Sequence, residues 1–395
     1  MATSLPALSV GEMLAALVAS PSVSSPEPHW DQSNAGVIEL LAAWFEDLGF
    51  AVEQVPCTGQ PDKLNLIATL GSGPGGLVLA GHTDTVPFDV DRWRTDPLRL
   101  TEADGRWYGM GVADMKGFFP LVIEAVRDLR AADLRQPLIV LATADEESSM
   151  AGARTLQALG RPRARHAVIG EPTGLRPVRL HKGIMMESLR LIGRSGHSSN
   201  PALGNNALDG MQRLMGALMA WRAELAQRHR NPLFEVAHPT LNLGHIHGGD
   251  SPNRICGECE LHIDLRPLPG MDMDALREEL YATARQAVAD SGLTLLCQPL
   301  FAGNPPLDTP AAAPIVQAAE RLTGHAAEAV AFGTEGPYLQ RLGMDTVILG
   351  PGDIACAHQP DEYLELARVR PTVALLQALI RRFCLNNDND TGETR

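Results

Sequence analysis

Positive charge is in short supply in this chain of 395 residues: 33 lysines and arginines stand against 47 aspartates and glutamates, a formal net charge of −14. Phosphate binding needs a basic patch, so the balance argues against a nucleic-acid partner. Long apolar runs are missing as well. No stretch approaches the roughly 18 apolar residues that a membrane span requires, so no membrane partner is expected. The opening Met1-Ala2-Thr3-Ser4-Leu5-Pro6 lacks the basic start and apolar run of a secretory signal. Cysteine is sparse, six residues in no evident disulfide framework; reduced thiols and a cytoplasmic location are the expectation. There is no internal repeat.

What remains is an ordinary globular composition, 45% apolar and 20% charged. The length exceeds one ordinary core, so two domains are expected. The final stretch, Asn386 to Arg395, is polar and reads as a frayed tail.

Along the first part, helical and strand patterns alternate. Apolar residues recur at helical spacing from Val37 and stop at Gly49. Leu64 to Leu70, Leu77 to Gly81, Leu138 to Thr143 and the run ending at Gly170 read as buried strands, and Phe118 to Leu129 as a helix. Such alternation predicts an α/β sheet covered on both faces, with ligands gathering at the carboxyl ends of its strands. The character changes near Lys182. Met185 to Ile192, Leu241 to Ile246, Cys256 to Leu265 and Leu293 to Leu300 read as strands, with helices over Ala207 to Gln227 and Met273 to Ala289. That β-α-β-β-α-β order is the split-βαβ, ferredoxin-like module. From about Asn304 the α/β pattern resumes, with a helix over Ala313 to Leu322, a strand over Thr346 to Leu349 and a helix over Val369 to Cys384. The expected fold is therefore an α/β/α domain on a mixed sheet, residues 1–181 and 304–395, with the module inserted over residues 182–303.

Five short motifs carry the chemistry: Gly81-His82-Thr83-Asp84, Ala113-Asp114-Met115-Lys116-Gly117, Asp145-Glu146-Glu147, Gly170-Glu171-Pro172-Thr173 and Ala357-His358-Gln359-Pro360. Together they supply two histidines and enough carboxylates for two divalent metals, with a glutamate left over as a base, an inventory suited to hydrolysing an amide. His82 and Asp84 share one face of a strand end, where the acid fits as partner to a ligating imidazole; a polar pair capping a loop is the plainer alternative. Asp145-Glu146-Glu147 follows a buried strand directly. Three adjacent acids there need cations nearby, and one of them can bind metal while a neighbour serves as general base. Glu171 and His358 each stand close to a proline that stiffens the backbone.

Other motifs fail on context. Gly71-Ser72-Gly73-Pro74-Gly75-Gly76 precedes a strand instead of opening a helix, so it is not a dinucleotide fingerprint. His245-x-His247 lies in the inserted module, and Cys256-x-x-Cys259 has no second pair. Ser195-Gly196-His197-Ser198-Ser199 lacks the G-x-S-x-G elbow of a nucleophilic serine.

These residues resemble the co-catalytic zinc aminoacylase and carboxypeptidase family over nearly the whole chain. The marks are Ala80 to Pro87, Gly111 to Gly117, Thr143 to Glu147 and Ile169 to Thr173. The blocks Thr240 to Asp250 and His358 to Tyr363 resemble the branch that deacetylates N2-acetyl-L-ornithine in arginine biosynthesis. The resemblance implies that Asp114 bridges two metals, Zn2+ first and Co2+ or Mn2+ as alternatives. His82 and Glu171 would complete one site, Glu147 and His358 the other. It implies Glu146 as base to a metal-bridged hydroxide, Asp84 orienting His82, and a cis peptide after Asp114. The inserted module would be a dimerisation lid, so that a homodimer is expected, with His197 reaching the partner subunit's active site to steady the oxyanion. Asn253 and Arg254 would hold the substrate α-carboxylate, and Thr334 and Glu335 would contact substrate, Glu335 at the δ-ammonium. Sister deacylases acting on N-succinyl-diaminopimelate, acetylcitrulline or acylated amino acids generally stay open, as does a catalytically silent relative.

Overall fold

The computed structural model describes residues 8–385, so the readings of Met1 to Pro6 and of the Asn386–Arg395 tail lie outside the described residues. The chain divides into two compact units. One comprises the chain up to Arg179, Thr309–Glu328 and the chain from Thr334; the other comprises Leu180–Asp308 and Ala329–Gly333.

The first unit is built on a mixed sheet. Its centre is three parallel strands, Leu138–Thr143, Leu77–His82 and His166–Ile169, with Asp345–Ile348 parallel beside the last. Every residue of the first three is buried, the pattern of strands covered on both faces. Gln60–Leu70 and Ala51–Cys57 extend one edge as an antiparallel hairpin, and Val178 pairs with Ile348 toward the other. Helices Val10–Val18, Ala35–Asp47, Phe118–Val126, Ala151–Leu159, Pro314–Thr323, Gly336–Arg341 and Leu366–Ile380 accompany it. Ser9 opens the first through a capping box with Glu12, satisfying donors the helix cannot pair itself.

The second unit carries a four-stranded antiparallel sheet in the order Thr240–Gly248, Glu258–Arg266, Met185–Ile192, Thr294–Pro299. With helices Ala207–Arg228 and Met273–Ala287 this is the expected β-α-β-β-α-β module. The long helix buries Ala207, Met211, Leu214, Leu218, Trp221 and Leu225, a stripe spaced by three and four residues. They share a core with Leu189, Leu191, Cys259, Leu261, Ile263 and Leu265. The alternating residues Glu258, Glu260, His262 and Asp264 take the other side of their strand. Among the described residues no helix is long and apolar enough to cross a membrane.

Several element boundaries differ from expectation by one to four residues. The helix begun at Phe118 ends at Val126, not Leu129. The last helix starts at Leu366, three residues before Val369, and takes Pro371 inside it. The hairpin strand Ala51–Cys57 has no counterpart in the reading above, because only two of its residues are buried and its apolar pattern is thin.

Candidate active site

Three neighbouring strands end at one place. Leu77–His82 delivers His82 as its last residue, Leu138–Thr143 is followed by Glu146 and Glu147, and His166–Ile169 by Glu171. The carboxyl ends of parallel strands gather ligands because side chains there leave the sheet into a shared crevice. Close packing beneath depends on Gly170, where an added Cβ would meet the Phe118 ring about 2.2 Å away.

Asp114 comes from the loop before helix Phe118–Val126, and the Asp114–Met115 peptide is cis. Its Oδ1 lies 3.0 Å from His82 Nε2 and its Oδ2 3.3 Å from His358 Nε2. One carboxylate thus faces two imidazoles, one oxygen to each. His358, held at φ +59°, also lies 2.9 Å from Glu147 Oε1. His82 Nε2 is 4.0 Å from Glu171 Oε2. Ligand atoms of His82, Glu146 and Glu171 fall within 4.8 Å of one another, and so do those of His82, Asp114 and Glu147.

The other ring nitrogen of His82 settles its tautomer. Nδ1 lies 3.0 Å from the main-chain oxygen of Asp84, which can only accept, so Nδ1 carries a proton and Nε2 is the nitrogen that faces the cluster. The Asp84 carboxylate is farther from that nitrogen, at 3.8 Å; its Oδ2 accepts the Glu147 N–H at 3.0 Å and its buried Oδ1 has no partner. Asp145 turns away from the cluster. At φ +60° its carboxylate accepts from the hydroxyls of Ser148 and Ser149 and lies 3.7 Å from the Lys63 ammonium.

The charges explain what the cluster wants. Burial pushes Glu146 well above the usual carboxylate range; Glu147 adds to this and His82 opposes it. Burial does the same to Glu171, with Asp114 and Glu146 adding their repulsion. Burial disfavours a charged His82, yet Asp114 and Glu171 hold its pKa well above normal. Hydrogen bonds to Asp114 and Glu147 push His358 up to about 10. Asp114 goes the other way: burial alone would raise it, but bonds from His358 and His82 keep it below the usual range. Four carboxylates thus repel one another in a buried site, with protons lodged between oxygen and nitrogen atoms that are themselves metal donors. Divalent cations in place of those protons would relieve the repulsion, and a mixed imidazole and carboxylate set suits zinc, cobalt or manganese. The residues fit a metal centre.

Residues 78–382 match the model of the peptidase family M20/M25/M40. The chain belongs to this family. This M20 enzyme is 50% identical over 369 residues to an acetylornithine deacetylase of Edwardsiella ictaluri, covering 93% of its own chain and 96% of the relative. It is 50% identical over 373 residues to an acetylornithine deacetylase of Pasteurella multocida, covering 94% and 97%. Its fold resembles that of a tripeptidase from Staphylococcus aureus, with a TM-score of 0.73 at 19% identity, over 94% of this chain and 97% of the other. It is a hydrolase, and its reaction is metal-dependent cleavage of an amide bond.

Two further sets of residues were expected to contribute. Thr334 and Glu335 belong to the first unit and precede helix Gly336–Arg341. Glu335 is 1% exposed; Oε2 accepts from the Thr143 hydroxyl at 2.7 Å, and Oε1 is buried without a partner. In the second unit, His197 and Arg254 form an isolated antiparallel bridge, and the Ser198 N–H donates to the Asn253 carbonyl at 3.1 Å. With Ser195 and Gly196 they line a cleft of about 410 Å³. The Arg254 guanidinium there is paired with Asp250 at 2.6 Å. The sequence reading assigned no role to Glu362, whose buried carboxylate reaches the Asp114 loop. One of two adjacent acids in Asp361-Glu362-Tyr363 carries no local sign of burial.

Proposed function

We propose that this M20 enzyme hydrolyses N2-acetyl-L-ornithine to L-ornithine and acetate, as a cytoplasmic step of arginine biosynthesis. The observation that carries the chemistry is the Asp114 carboxylate between two imidazoles, 3.0 Å from one and 3.3 Å from the other. The substrate rests on the identity to two acetylornithine deacetylases over more than nine-tenths of the chain. Asp114 would be shared by two ions, with His82 and Glu171 completing one site and Glu147 and His358 the other. Zn2+ is the first candidate, ahead of Co2+ and Mn2+. Bound there, the pair would polarise the acyl carbonyl and lower the pKa of a water.

Glu146 takes the proton of the attacking water. Burial raises its pKa, so it holds that proton through the addition and passes it to the nitrogen as the C–N bond breaks. Asp84 keeps the His82 ring oriented, through its main-chain oxygen as the ring now lies. Arg254, beside Asn253, offers a planar fork to the substrate α-carboxylate once Asp250 yields it. The inserted module joins two copies as a homodimer, and His197 of one copy reaches the active site of the other to donate to the developing oxyanion. Thr334 and Glu335 complete the substrate contacts, Glu335 with its unpartnered Oε1 toward the δ-ammonium.

The test is kcat/KM of metal-reconstituted enzyme on N-acetyl-ornithine, N-acetyl-citrulline and N-succinyl-diaminopimelate, with a chelated control. A preference for acetyl-ornithine that chelation abolishes is the expected result. A preference for either other substrate would leave the chemistry standing and overturn the pathway.

A further inference from the structure

The loop that carries Asp114 is tied down by one residue from near the other end of the chain. Glu362 is buried, and both of its carboxylate oxygens face this loop. Oε1 accepts the N–H of Ala113 at 2.7 Å and that of Asp114 at 2.9 Å; Oε2 accepts the N–H of Gly111 at 3.1 Å. The main-chain oxygen of Glu362 accepts a fourth, the N–H of Gly109, at 3.2 Å. Three main-chain N–H donors converge on this one carboxylate. Inside a protein such a set is stiff, because breaking it strands several buried donors together.

The same short segment also carries His358, four residues earlier. Its backbone is pinned at Asp361, whose carboxylate accepts from the Arg94 N–H at 2.8 Å and from Arg94 Nε at 2.6 Å. Strand Tyr363–Glu365 then pairs with Arg106–Tyr108, just ahead of the Asp114 loop. One stretch of chain therefore sets both an imidazole and the backbone of the carboxylate facing it.

We infer that Glu362 is a positioning residue of the metal centre: it fixes the Asp114 main chain so that the side chain presents one oxygen to each imidazole. The inference rests on the reading of Asp114 as the shared ligand. It requires a carboxylate at this place. Glutamine has a single acceptor oxygen and would turn an NH2 toward an N–H; aspartate is one methylene too short to reach all three donors.

Full-length wild-type protein and Glu362→Gln, both stripped of metal, are titrated with Co2+ against a competing chelator while the visible d–d absorption is followed. Residues that support a ligand from behind typically alter metal affinity 10–100-fold, and a loss in that range with a changed d–d spectrum is expected. In steady-state kinetics kcat should fall while KM for N-acetyl-ornithine changes little. A folded variant with wild-type Co2+ affinity and spectrum would overturn the inference. Should wild type itself fail to take up Co2+, the metal reading falls instead, so the two failures are told apart. Amide hydrogen exchange in metal-free wild type needs no variant: strong protection at Gly111, Ala113 and Asp114 is expected, and free exchange there overturns the tie.

Discussion

A carboxylate with one oxygen bonded and the other bare is costly inside a protein, and Glu335 is in that position. Burial pushes its pKa up to about 7, although the Thr143 hydroxyl and His82 work the other way. An unfolded glutamate titrates near ~4.3. Between those values the folded chain holds the extra proton, so the Glu335 contribution to stability falls as pH rises through that window and stays lost above it. Glu335→Gln imitates the protonated form. In metal-free protein its Tm should therefore gain on wild type as pH rises from about 4.5 to about 7, and thermal scans across that range would show it. A gain that shrinks with rising pH would contradict the assignment. If Glu335 also answers the δ-ammonium, the same substitution raises KM for N-acetyl-ornithine far more than for a neutral N-acetyl amino acid. Residues such as His82 and Glu171 were legible in sequence because each directly follows a buried apolar run. Glu362 was not: its burial comes from partners about 250 positions away, which no local pattern encodes.

Elements divide in the same way. Helix Ala207–Arg228 was readable because its buried stripe keeps helical spacing from Ala207 to Leu225. Leu214 sits in the middle of that stripe, fully buried. Leu214→Ala removes its methyl groups and leaves a cavity, at a cost of about 2–5 kcal/mol. Urea unfolding would register the loss as a lower midpoint with little change in slope; a cost near zero would mean the stripe is not the core of this unit. Helix Ala151–Leu159 went unread, since only Gly152, Ala153, Thr155 and Leu156 are buried and three of these are small or polar. Strand Val178–His181 was too short to separate from its surroundings, and pairing with the distant Leu307–Asp308 and Asp345–Ile348 defines it.

For the molecule as a whole, the metal centre and the fold are thermodynamically linked. A ligand that binds only the folded state stabilises it by mass action, about 2.7 kcal/mol at a hundredfold excess over Kd. Adding Zn2+ to metal-free protein should raise Tm in a concentration-dependent way, and chelation should reverse it together with activity. Activity that survives full metal removal would overturn the mechanism. Sedimentation of the metal-loaded protein should give a dimer, and a monomer at working concentration would remove the role proposed for His197 across subunits.

The tie between Glu362 and the Asp114 loop has a consequence for how the protein is made. His82, Asp114, Glu146, Glu147 and Glu171 leave the ribosome well before His358 and Glu362. A nascent or prematurely stopped chain would have most of the acids but neither the second imidazole nor the anchor for the shared carboxylate. A chain stopped before His358 is therefore expected to lack a complete metal centre.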